Sequence, residues 1–367
     1  MTLTNYWWLL IWLVLAGGIL AIAVPKVPVK VLGKTEYRWS WGAALILICP
    51  YVIWAAFRGN IGDTGAYQAM FRSIPTFGSG LIEYLSANSK DRGFYVLASL
   101  LKTVFGGNST LFFFIIAAFQ MFCIAEFFRK YSKDFLLCIF MFVISTDYLS
   151  WMFNGIRQFI AVCIILLAFG LILRKRYIPA ILVILLAATI HASALMMVPI
   201  IFVIQGRAWN WKTIALLIAV GAAILLIDPF TEFLDSVLAD TQYNDIITND
   251  IWKNDDGTNA LRALFYSIPA LLSIIGKRHV DRADSPVVNL CVNCSICTAA
   301  LYLLSVFSSG IYVGRLPIYT TLQGYAVVPW LIDHSFTKQS ARIVTAGLIV
   351  GYLAFFYYQM HFSWNFL

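Results

Sequence analysis

The sequence predicts an all-α, polytopic membrane protein, a transmembrane helical bundle of about 12 spans within a range of 11–13. Three observations predict it. Charged residues make up 12% of the 367-residue chain, about half the roughly 25% of a soluble domain. Hydrophobic residues make up 61% and mean hydropathy is +0.81, so a water-facing surface cannot be covered with charge. Apolar runs of span length recur from end to end, separated by short basic loops. These features exclude a soluble enzyme, a nucleic-acid-binding domain and a disordered chain.

Crossing about 30 Å of hydrocarbon takes roughly 20 residues of helix. Spans are expected near 5–24, 39–57, 110–128, 135–151, 156–173, 212–228, 261–276, 286–308, 316–334 and 342–361. The first stretch has no positive n-region and no small-residue cleavage site, so it reads as a retained span rather than a signal peptide. Residues 93–105 are apolar but short and carry Lys102; they read as an interfacial or re-entrant helix. Residues 177–205 are interrupted by His191, Ser193 and Pro199. They fit one long helix or a tight pair of short ones.

The basic loops arbitrate, because Lys and Arg concentrate in cytoplasmic loops. The groups are Lys26, Lys30, Lys34 and Arg38; Arg129, Lys130 and Lys133; Arg174, Lys175 and Arg176; Arg207 and Lys212; Lys277, Arg278 and Arg282; Lys338 and Arg342. All share one side if 93–105 does not cross and 177–205 crosses twice, with both termini outside. That arrangement places 17 of the 26 Lys+Arg inside. The net charge of +8 is then a topology signal, not affinity for nucleic acid. The chain reads as one integral membrane domain, 1–367, with a first outer loop at 58–92 and an acidic outer loop at 228–260. Within the latter, 231–238 suits a short amphipathic helix and 244–259 is turn-rich.

All seven cysteines lie in apolar stretches, where no disulfide framework is expected. Cys291, Cys294 and Cys297 have a spacing that invites an iron–sulfur reading. The same spacing lines small side chains along one face of a buried helix, and close packing is the preferred explanation. No zinc spacing, acidic metal cluster, nucleophile elbow or phosphate-binding Gly-Lys-Ser/Thr loop is present. The expected chemistry is therefore metal-free, without a cofactor, and outward-facing.

Nine Lys and Arg fall on the outer side: Arg58, Arg72, Lys90, Arg92, Lys102, Arg157, Lys253, Arg262 and Arg315. A charge at membrane depth is costly, so its presence points to a partner or a job. The bland alternative is snorkelling to headgroups. Arg58, Arg157 and Arg315 sit at span ends, and arginine's planar fork binds phosphate through two parallel hydrogen bonds. His191 is flanked by long apolar helix and titrates near neutrality, which suits removal of a proton from a sugar hydroxyl; the alternative is a core His with one hydrogen bond. Asp63, with Tyr67 four residues on, is placed to orient a hydroxyl, to act as base, or to pair with Arg58. Asp91 reads as a helix cap.

Four segments then resemble the EpsG-like, Wzy-type polysaccharide polymerases, in order along residues 50–330. Arg58-Gly-Asn-Ile-Gly-Asp63-Thr64-Gly-Ala-Tyr67 looks like that family's Arg…Gly-x-Asp-x-x-x-Tyr loop. Asn154-Gly-Ile-Arg157-Gln158-Phe-Ile-Ala161 resembles its Ile-Arg-Gln segment. Leu186-Ala-Ala-Thr-Ile-His191-Ala-Ser193-Ala-Leu195 is similar to its Ile-His-x-Ser segment, and Gly314-Arg315-Leu-Pro-Ile-Tyr319 to its late Arg-x-x-x-Tyr element. Gly65 departs from the polar residue common there.

The resemblance implies a glycosyltransferase of the bacterial cytoplasmic (inner) membrane. It would polymerise exopolysaccharide, capsule or O-antigen repeat units by moving the growing glycan from undecaprenyl diphosphate to an incoming lipid-linked repeat unit. Its expected partners are that lipid-linked oligosaccharide, membrane lipid, and chain-length and export proteins. His191, Asp63 and Arg157 are the expected catalytic residues. Arg58, Arg157, Arg315, Tyr67, Arg92 and Gln158 are the expected substrate and pyrophosphate ligands. A flippase for a lipid-linked oligosaccharide and a membrane O-acyltransferase remain alternatives.

Overall fold

The computed structural model describes residues 6–78, 80–88, 90–227, 229–230, 257–308, 310 and 312–364. The acidic segment 228–260, with its expected helix at 231–238, therefore lies almost wholly outside the described residues. The described chain is mostly helical, and its apolar helices make it a polytopic membrane bundle. Two compact units emerge from the internal contacts: Met1–Leu195 with Gly347–Leu367, and Met196–Ala346.

The first unit begins with α1, Tyr6–Ala23. A departure from the all-α expectation follows: β1, Val27–Val31, pairs antiparallel with β2, Lys34–Arg38. The alternation Val27-Pro28-Val29-Lys30-Val31 is a period-2 pattern inside what charge alone marks as a basic loop. Leu32 and Gly33 both take positive φ, the geometry of a two-residue hairpin turn that follows strand twist.

Helix α2, Trp41–Ala56, starts where the Ser40 hydroxyl accepts from the Ala43 N–H. It is tied to α1 by Tyr51 Oη donating to Leu9 O and Trp12 Nε1 to Leu47 O. Then come α3, Thr64–Ser73, α4, Leu81–Ala87, and α5, Arg92–Phe105. Lys102 on α5 donates to Arg72 O and Ile74 O, and so satisfies carbonyls left open at the end of α3.

Helix α6, Ser109–Tyr131, is capped by Asn108 and packs on α2. Next come α7, Phe135–Ile144, and α8, Asp147–Leu149, which continues as a π-turn over Ser150–Asn154. The expected span at 135–151 is thus broken by a 71° bend. Ser145, Thr146 and Asp147 explain it: Ser145 Oγ donates to the buried Asp147 carboxylate and Thr146 sits at φ 66°. Such side chains offer the backbone an alternative to helix.

Helix α9, Ile156–Leu167, and α10, Phe169–Leu173, lead to α11, Tyr177–Ile190. The region 177–205 is interrupted at His191, where the backbone turns extended. A 3-10 turn, Ala192–Met196, and α12, Met197–Val203, follow.

The second unit contains α12, α13, Trp211–Leu225, α14, Ala260–Ile275, α15, Lys277–Ala283, α16, Pro286–Phe307, and α17, Ile318–Ser335. Asn293 on α16 donates to Ile204 O and Arg207 O while its carbonyl accepts from the Trp209 N–H. Thr298 and Thr320 hydroxyls meet at 2.7 Å between α16 and α17. Gly324 lets α17 approach Pro269 of α14, whose Cγ would lie 3.3 Å from an added Cβ. Cys291, Cys294 and Cys297 are buried free thiols along α16. Helix α18, Lys338–Phe362, ends in the first unit, where Phe356 stacks on Tyr6 at 5.7 Å.

Four described helices, α1, α6, α16 and α18, are long and apolar enough to cross a membrane, or up to six with the two bent pairs. Five further apolar segments have 10–17 residues, about 15–26 Å of helix at 1.5 Å per residue. The count of about 12 spans is not reached by straight helices.

Candidate functional site

The expected catalytic and substrate-binding residues, except Arg315, all fall in the first unit, where Arg58 and Arg157 occupy different environments. Arg58 follows α2 and is 1% exposed. Its Nε donates to Ala55 O at 2.6 Å and its Nη1 to Met152 O at 2.8 Å. The guanidinium lies between the Phe113 and Phe153 rings, 4.2 and 4.3 Å from their centroids. This cation is closed in by aromatic faces and bonded to two backbone segments. No bond to Asp63 forms.

Arg157, on the first turn of α9, is different. Its Nη1 donates to Asp91 Oδ2 at 2.8 Å, and the side chain stays 34% exposed while that of Asp91 is wholly buried. Tyr67 on α3 lies within electrostatic reach of the Arg157 guanidinium. The Phe94 ring lies 6.0 Å from the guanidinium carbon and packs edge-on against Tyr67. Arg157 is therefore fixed from three sides and open on the rest, the condition for meeting a ligand without paying to order the side chain.

Asp91 does not cap α5, as its place in the sequence suggested. It sits at φ 53° and makes no side-chain cap bond. Its carboxylate accepts from Arg157 and from the Ala192 N–H, so one buried carboxylate joins α5, α9 and the break after α11. Burial pushes its pKa up, and Arg157 pulls it only part of the way back. Burial likewise raises the Tyr67 phenol against the opposing pull of Arg157. The approach of α5 to α11 depends on Gly93, where an added Cβ would lie 2.7 Å from Thr189 O.

The same break positions His191. Its Nδ1 lies 2.7 Å from Ser193 Oγ, and Gln158 Nε2 donates to that oxygen at 3.2 Å. His191 is 9% and Gln158 5% exposed. A ring nitrogen oriented by a hydroxyl, itself oriented by a second polar group, is an arrangement that fixes tautomer and direction for proton transfer.

Asp63 is exposed at the start of α3, without a side-chain cap bond; its backbone N–H donates to Asn154 Oδ1 at 3.2 Å. Gly62, at φ 56°, allows that contact, since a Cβ there would collide with Asn154 Oδ1. Arg92 is exposed as the first residue of α5 and forms no ion pair among the described residues. Arg315 belongs to the second unit, exposed at the end of a short 3-10 turn, Val313–Arg315, before α17. The structure thus gathers Tyr67, Arg157, Gln158 and His191 in one neighbourhood, and adds Asp91, Phe94 and Ser193.

Fold and site together define a polytopic membrane protein with a buried polar cluster at helix breaks. Residues 43–366 match the family model described as EpsG family. The chain belongs to the EpsG family, and EpsG-like proteins are Wzy-type polymerases. This makes it a transmembrane protein of polysaccharide biosynthesis with a polymerase-like, glycosyltransferase-type function. No curated protein matches the chain, and no solved structure does either.

Proposed function

We propose that the chain extends a polysaccharide on the outer face of the bacterial cytoplasmic membrane. It would transfer the growing glycan from undecaprenyl diphosphate to a lipid-linked repeat unit of exopolysaccharide, capsule or O-antigen. The observation that carries this reading is the half-exposed Arg157 guanidinium, held by the buried Asp91 carboxylate one residue from the Gln158–Ser193–His191 chain. In the proposed step, the acceptor oxygen forms a bond to the donor's anomeric carbon and the bond from that carbon to the phosphate oxygen breaks. The proton goes to His191, and the lipid pyrophosphate leaves with the electron pair. Arg157 neutralises the charge that develops on it.

Asp91 positions Arg157, and Ser193 positions His191. Arg58 is assigned to the scaffold rather than to the substrate. Arg92 and Arg315 remain candidate pyrophosphate ligands, and Asp63 the alternative base. Chain-length and export proteins are the partners proposed for the product.

The test is incubation of purified, lipid-reconstituted protein with lipid-linked repeat units, followed by product mass. Longer glycans support polymerase. An unchanged glycan moved across liposomes supports a flippase, and an added acyl mass an acyltransferase; either result overturns this reading.

A further inference from the structure

A pair of tyrosines lies one aromatic ring removed from Arg157. Tyr84 on α4 and Tyr95 on α5 are both half-buried. Their rings meet edge to face, with centroids 5.6 Å apart. Tyr95 packs on Phe94 at 6.0 Å, the ring that also lies against Arg157 and Tyr67. The aromatic row Tyr84–Tyr95–Phe94–Tyr67 thus leads from half-exposed surface to the guanidinium. Among the described residues neither the Tyr84 nor the Tyr95 hydroxyl makes a hydrogen bond. Tyr95 lies within electrostatic reach of Arg157, Asp91 and Tyr84.

We infer that Tyr84 and Tyr95 form the binding platform for the first pyranose ring of the lipid-linked oligosaccharide, the ring bonded to the pyrophosphate. This rests on the proposed role of Arg157. A pyranose offers an apolar C–H face and a rim of hydroxyls. A tyrosine offers an apolar ring face and a polar tip, with only two side-chain torsions to order. The sugar is covalently one atom from the phosphate, so its platform must lie near the phosphate ligand, and Tyr95 reaches Arg157 through the shared Phe94 ring. An aromatic belt for lipid headgroups is the competing explanation. A belt needs no link to the buried Asp91–Arg157 pair, whereas Tyr95 is one residue from the ring that packs on it.

The experiment measures affinity of the full chain in nanodiscs for two probes. One is sugar-free polyprenyl diphosphate. The other is the same carrier bearing one hexose, taken in turn as glucose, galactose and their N-acetylated forms. Wild type should bind at least one sugar-bearing carrier about 5- to 10-fold more tightly than the bare carrier. Tyr95→Ala and Tyr84→Ala should remove most of that difference while leaving bare-carrier affinity within about twofold. Tyr95→Phe should keep the stacking share, and it supplies the comparison if Tyr95→Ala does not fold. Equal binding of all probes by wild type overturns the platform, as does equal weakening of bare and sugar-bearing carriers by the tyrosine variants. Arg157→Ala separates the two claims: it should weaken every probe alike, and no weakening would remove the pyrophosphate ligand without altering the tyrosine comparison.

Discussion

Arg58 and Arg157 look alike in the sequence. Both follow an apolar or small residue at the end of a span, and both fall in segments that resemble family motifs. In the folded chain they are opposites. Arg58 is 1% exposed, clamped between two phenylalanines and bonded to the carbonyls of Ala55 and Met152. Arg157 keeps a third of its side chain open and is tethered to a buried carboxylate. The difference teaches that a charge in an apolar chain has two distinct uses. One ties backbone segments together where water cannot reach them. The other, in the function proposed above, holds a fixed cation partly open to a ligand.

The largest expected effects would break this contrast if they failed. Arg157→Ala should lower polymerisation per folded molecule by about 100- to 1,000-fold, the usual cost of losing one preorganised charge-stabilising group. Its melting temperature should also fall, because the buried Asp91 carboxylate loses its partner, so rates are compared per folded molecule. Arg157→Lys should also lose most activity, because an ammonium cannot supply the planar fork. The readout is chain length and rate from lipid-linked repeat units.

Arg58→Ala should act on folding instead of on rate. It opens a cavity and leaves two carbonyls without a donor, at a cost of about 3 kcal/mol. Folded yield and thermal stability should fall, while KM of the surviving molecules stays near wild type. A variant that folds normally but does not bind lipid-linked substrate would move Arg58 to the binding side of the comparison.

Ser193→Ala sharpens the picture of proton transfer. It should cut kcat by about tenfold through loss of His191 orientation, with little change in KM. Ser193→Thr should recover part of the rate, since it restores the hydroxyl.

Asp91 gives a pH test with a sign. Its folded pKa is raised above the ordinary carboxylate value by burial. Its ionised form therefore costs folding stability, and that contribution is fully favourable only below the unfolded pKa and is lost as pH rises through the folded one. Acid should thus release Arg157 and reduce activity from above the usual carboxylate range, without loss of stability from this group. Asp91→Asn should abolish that acid limb, lower activity near neutral pH, and leave the melting temperature nearly unchanged.

Much of this could be read in the chain before folding. The apolar runs located α1, α2, α6, α16 and α18, because burial in lipid demands long uninterrupted stretches. His191 and Ser193 marked the break in 177–205 because polar side chains compete for the helix backbone. What escaped was long-range. Asp91 read as a cap since an acidic residue before an apolar helix has that local meaning, and only its approach to Arg157, 66 positions away, reveals the pair. The closure of Arg58 by Phe113 and Phe153 was hidden in the same way, because it depends on residues far along the chain. The hairpin at Val27–Arg38 was hidden by its own charge, which dominated the reading of the loop.

The most direct test of the central claim is single-turnover transfer from a radiolabelled polyprenyl-diphosphate-linked glycan to an unlabelled lipid-linked repeat unit, with wild type, Arg157→Ala and His191→Ala compared at equal folded concentration. Wild type should place label in a longer lipid-linked glycan, and both variants should slow the transfer by about 100-fold or more. Wild-type rates in both variants would remove Arg157 and His191 from the reaction, whatever chain length the protein makes.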